Sequence, residues 1–159
     1  MLVGTIQGYS GYEELEKRGQ SDRDLREHLE KNLEHLQQRL GHPPKAFEPE
    51  IQESVNLIYQ KTRRKIDTIC QSLKNPTYED SAFFSTAKVN KRVINQLYNL
   101  ENSLLNNMQT LSDELDGHAG RSLKADEVNE HFTYFQDFID NFSQDLFERE
   151  ALILALEGY

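Results

Sequence analysis

Leucines recur at Leu25, Leu29, Leu33, Leu36 and Leu40, in steps of 4, 4, 3 and 4. That spacing lays one narrow apolar stripe along an α-helix, and no part of this chain alternates apolar and polar residues long enough to make a strand. Three further stripes follow. Ile51, Val55, Ile58, Thr62, Ile66, Ile69 and Leu73 form the second; Val89, Val93, Leu97, Leu100, Leu104, Met108, Leu111 and Leu115 the third; Val128, Phe132, Phe135, Ile139, Phe142, Leu146 and Ile153 the fourth. Several positions repeat every eleven residues, as Val89, Leu100 and Leu111 do, which is about 3.67 residues per turn and predicts straight helices with little supercoil.

Punctuation sets the bounds. Ser21 is placed to cap the first helix, and Gly41 with Pro43 and Pro44 stops it. Pro49 suits a first helical turn, Asn75 and Pro76 end that segment, Ser85 or Thr86 opens the next and Gly117 closes it. The expected fold is therefore all-α, an antiparallel bundle of four main helices over 21–40, 49–74, 86–116 and 122–157. The third and fourth, joined by a short glycine turn, are expected to pair as a long hairpin projecting beyond the first. In a simple up-down-up-down order helices two and four would sit on a diagonal. Residues 1–20 read as a flexible or partly helical segment, with 2–6 at most extended, ahead of a single bundle domain over 21–159. In the connection before the third helix, Phe83 and Phe84 are expected to tuck beneath the bundle.

Acidic residues outnumber basic ones 27 to 18, leaving a net charge of -9 that repels nucleic acid and anionic lipid. The longest apolar run, Ala151 to Leu156, is far short of a membrane span, and the Met1 end lacks the basic flank and apolar core of an export signal. One cysteine, Cys70, builds no internal disulfide. Together these features predict a cytoplasmic protein without a membrane segment.

None of His28, His35, His42, His118 and His131 has glutamate three positions earlier, which excludes the Glu-x-x-His pairs of di-iron bundles. His-x-x-x-His and His-x-x-x-Glu are also missing, so no helix is expected to offer an imidazole and a carboxylate to one ion, and no metal or cofactor is expected. Carboxylates spaced by three, such as Glu127 with Glu130 and Asp145 with Glu148, match the pairs by which all-α pyrophosphatases hold magnesium, but solvated acidic helix faces produce the same spacing. Arg23-Asp24-Leu25-Arg26-Glu27-His28 resembles the Arg-x4-His spacing of HEPN-type helical ribonucleases. The resemblance implies that His28 handles a proton while Arg23 steadies phosphate charge. Cys70, beside the stripe residue Ile69, reads as a small core hydrophobe rather than a nucleophile.

Two surface features remain. Only the second helix is net basic, through Lys61, Arg63, Arg64 and Lys65, a face that is either solvated, with pairs such as Arg63 and Asp67, or a docking point for an acidic partner or nucleic acid. The last two helices carry a second apolar line: Tyr134, Phe138, Leu152 and Leu156 on the fourth, and Ile94, Tyr98 and Leu105 on the third. Those lines exceed one neighbour's footprint and predict self-association or a protein partner. The sequence thus points to a non-enzymatic interaction protein, with a helical ribonuclease, a magnesium-dependent phosphohydrolase and local nucleic-acid binding as alternatives.

Overall fold

Proline, glycine and asparagine cut the chain where its backbone cannot stay helical. The computed structural model describes residues 5–118, 120 and 122–156. Helix α1 spans Arg18–Leu40, α2 Pro49–Lys74, α3 Lys91–His118 and α4 Ala125–Leu154. Pro49 stands in the first turn of α2, where its missing N–H costs nothing. Asn90 caps α3 by accepting the Val93 amide at 3.0 Å.

Three helix starts differ from expectation for local reasons. Helix α4 opens at Ala125 rather than 122 because Leu123 is held in a bridge to Ala46. Ser21 lies inside α1, and its buried hydroxyl donates to the Gly11 carbonyl at 2.7 Å instead of capping. Helix α3 begins at Lys91 because Ala82–Phe84 form a 3-10 turn, capped by Ser81. The Arg18 guanidinium takes the Phe83 and Ala87 carbonyls at 3.1 and 2.8 Å, which fixes the chain away from helical geometry there. Phe83 is fully buried beneath the bundle and Phe84 packs against the core. Helix α4 ends at Leu154, three residues before the expected end at 157, and the first residues of the segment thought to be extended lie outside the described residues.

Packing runs in a ring: α1 on α2, α2 on α4, α4 on α3, α3 on α1. The expected diagonal of α2 and α4 is therefore corrected; the diagonals are α1 with α4 and α2 with α3. The connection over residues 75–90 makes this possible by crossing one end of the bundle. Consecutive helices run antiparallel, whereas α2 and α4 run side by side in the same direction, since Tyr59 meets His131 and Phe135 while Lys65 shares a groove with Ile139. Helices α1 and α3 are likewise parallel neighbours, with Arg39 in the last turn of α1 bonded to Ser112 and Asp116 at the same, C-terminal end of α3.

The α3–α4 hairpin does not project. Its far end is tied to the α1–α2 loop, where the Leu123 amide donates to the Lys45 carbonyl at 2.7 Å and Ala46 pairs with Leu123. At the opposite end the N-terminal segment fills the bundle rather than leaving it: Ile6, Tyr9 and Tyr12 are buried in the same core as the helices. Gly11 makes that entry possible, because its φ is +80° and a Cβ there would sit 2.3 Å from the Tyr98 hydroxyl. No described helix is long and apolar enough to cross a membrane.

Candidate functional site

The second apolar lines are answered inside the chain. Ile94 and Phe138 are each only 5% exposed, and Tyr98, Leu105, Tyr134, Leu152 and Leu156 are partly buried against the core. Tyr98 is covered by the N-terminal segment, stacking on Tyr12 and donating its hydroxyl to Glu13. The surplus apolar arc on α3 thus receives the segment around Tyr12 and Glu13 as its neighbour.

Buried charge then appears at two ends of the bundle. At the end holding the N-terminal segment, Arg149 is enclosed. It donates to Glu101 at 2.9 Å, Asp22 at 2.7 Å, Tyr78 at 2.9 Å and Tyr12 at 3.0 Å. Tyr9 and Tyr12 each donate to Glu101 at 2.6 Å, and Arg26 donates to the second Asp22 oxygen at 2.9 Å. Two arginines face two carboxylates, so the assembly is neutral. Burial alone would raise the Asp22 pKa, but Arg149, Tyr78 and Arg26 outweigh it and hold the carboxyl below its ordinary range. Every charge is committed to a partner within the fold, so this end works as a lock rather than a binding site.

The other end is built differently. Glu114 and His118 lie one turn apart on α3, and Glu127 and His131 one turn apart on α4, so two Glu-x-x-x-His pairs face each other across the hairpin. Glu114 Oε1 is 3.1 Å from His118 Nε2 and 3.9 Å from His131 Nδ1. One ligand atom from each of Glu114, His118 and His131 falls within 4.8 Å of the others. A tetrahedral zinc ion needs neighbouring N and O ligands about 3.3–3.5 Å apart, so small side-chain rotations close the set around one ion. On its other side His118 turns Nδ1 toward Glu127 Oε2 at 3.9 Å, the place from which a carboxylate orients a ligating imidazole. His131 is 2% exposed, held between the His118 ring at 4.2 Å, Phe135 and Tyr59. Burial pushes the Tyr59 phenol above its ordinary pKa, with Glu114 adding to the effect, so Tyr59 stays neutral.

The expectation that no helix offers an imidazole and a carboxylate at helical spacing is corrected by these pairs. Reading from histidine forward to glutamate misses them; reading from glutamate forward to histidine finds both. Beside His118 and Tyr59 opens a cavity of about 560 Å³ lined also by Arg39, His42, Pro44, Lys45 and Ser122. Of the three donors, His118 is the one that lines this cavity.

Arg23 and His28 do not converge. Five residues apart on one helix, they point about 140° apart. Arg23 is exposed and donates to Gln20, whereas His28 lines a shallow groove with Asn32, His35 and Met108. Burial lowers the His28 pKa, with Lys31 adding to the effect. Lys61, Arg63, Arg64 and Lys65 are all exposed, and no ion pair joins Arg63 to Asp67 among the described residues. Cys70 is buried, which raises its thiol to about 11 and removes it as a nucleophile at neutral pH. No family model matches the chain, and neither a curated protein nor a solved structure matches it.

Proposed function

We propose that this protein binds a divalent transition-metal ion at the open end of its bundle, with Glu114, His118 and His131 as ligands and Glu127 behind His118. The observation that carries this reading is the convergence of three ligand atoms within 4.8 Å from two different helices, beside a cavity. Two imidazoles and one carboxylate suit zinc better than magnesium or calcium, which prefer oxygen throughout. Three protein ligands leave zinc a fourth position, and the cavity is where that position would open.

Zinc at a hundredfold excess over its dissociation constant should stabilise the fold by about 2.7 kcal/mol. For a chain of this size that raises the melting temperature by roughly 5–10 °C. Glu114→Gln and His118→Gln, both at partly exposed positions, should remove the shift while melting as the native protein does without metal. An unmoved melting temperature with zinc, or the full shift in both variants, contradicts the reading.

A second reading has its own support. Phe147 and Leu154, one heptad apart on α4, are 67% and 52% exposed, which favours self-association through α4. Light scattering should then give a multiple of the chain mass that Phe147→Asp with Leu154→Asp reduces to one chain; a monomer at high protein concentration removes it.

A further inference from the structure

The cavity beside the cluster is unusual for a chain of net charge -9, because its wall carries Arg39, His42 and Lys45. Arg39 is held in place by Asp116 at 2.5 Å and Ser112 at 2.9 Å, so its charge is fixed at the rim. Lys45 and His42 ride on the α1–α2 loop, which the Leu123 amide pins at the Lys45 carbonyl. Among the described residues, Arg39 and Lys45 in the cavity wall carry positive charge, and Asp116, Glu114 and Glu127 are carboxylates paired with or facing Arg39 and His118. A divalent ion held by Glu114, His118 and His131 adds two positive charges beside this wall. Such an ion is the largest local charge and favours an anion in the cavity.

We propose that the metal-loaded cavity binds a small molecule through an oxyanion group, phosphate or carboxylate, seated on the ion's open position between Lys45, His42 and Arg39, and that the metal-free cavity does not. This rests on the metal reading above. The cavity volume lies within the range of small-molecule pockets, and its floor of Tyr59 and Leu115 gives the rest of a ligand an apolar surface. Because the anion meets the ion directly, the two bind in one order: metal first, anion second.

Cobalt(II) tests both steps, since it occupies zinc sites and its visible bands report what coordinates it. The full chain is loaded with one equivalent of cobalt and titrated with sodium phosphate, and separately with sodium acetate, at constant ionic strength set by chloride. The expected result is a saturable band shift with at least one anion, and the tighter of the two names the ligand class. His42→Ala with Lys45→Ala should weaken that anion by about tenfold while leaving cobalt affinity unchanged. Isothermal titration of the same anion into metal-free protein should show no binding. Cobalt uptake without any saturable anion response overturns this inference and leaves the metal reading standing, as does equal anion affinity in the double variant. Failure to take up cobalt overturns both.

Discussion

Asp22, Glu101 and Arg149 occupy stripe positions that apolar counting passes over. Leu97, Glu101 and Leu104 keep steps of 4 and 3, and Asp22 precedes Leu25 by three, so the core face continues through these charged residues. Their partners, Tyr9, Tyr12 and Tyr78, come from segments without a helical pattern, which is why the cluster was not legible in advance. Removing one member leaves the others buried and unanswered: Arg149→Ala should cost about 3–5 kcal/mol in a urea melt at neutral pH. Asp22 gives the pH dependence its sign. Its folded pKa lies below the unfolded value, so its contribution is present above about pH 4 and is lost as pH falls through the folded value. Asp22→Asn should be less stable than the native chain at neutral pH, and the gap should narrow below about pH 4. A gap that stays constant with pH contradicts the assignment.

At the scale of elements, the four helices were legible because their faces repeat and their ends carry Pro, Gly or Asn; α2 keeps the expected bounds of 49–74. The N-terminal segment was not, because Ile6, Tyr9 and Tyr12 follow no helical or strand period and enter the core through glycines of positive φ. Gly11→Ala should therefore destabilise the protein by about 1–3 kcal/mol, the cost of a strained backbone, with the Tyr98 clash in addition. Gly117 offers the contrast, since it lies within α3 with nothing near a built Cβ. Gly117→Ala should stabilise by about 0.5–1 kcal/mol. Thermal melts of the two variants check both, and a harmless Gly11→Ala would mean that the segment does not seat as described. The cluster on α3 and α4 was legible as two Glu-x-x-x-His spacings, but their facing each other depends on the hairpin register, which spacing within one helix does not contain.

For the molecule as a whole, the ring of helices divides the work between its ends. The connection over residues 75–90 and the N-terminal segment close one end around a neutral, fully bonded charge lock, and at the other end a cavity lined by His118 lies beside the buried His131. Wide apolar arcs on α3 and α4 pointed toward a partner; most of that surface is consumed within the chain, and among the described residues of α4 the large apolar side chains that remain exposed are Phe132, Phe147 and Leu154. The net charge of -9 still argues against nucleic acid and is expected to outweigh the exposed Lys61, Arg63, Arg64 and Lys65, leaving no salt-sensitive retention on RNA or DNA. A mobility shift at low salt would contradict that. The central claim, that the open end is a metal centre, is tested most directly by X-ray absorption at the zinc edge on protein loaded with one equivalent of zinc. The account predicts two imidazole nitrogens at about 2.0–2.1 Å and carboxylate oxygen at about 2.0–2.2 Å, with the imidazole signal falling by half or more in His118→Gln. A shell of oxygen alone, or one that His118→Gln leaves unchanged, would contradict it.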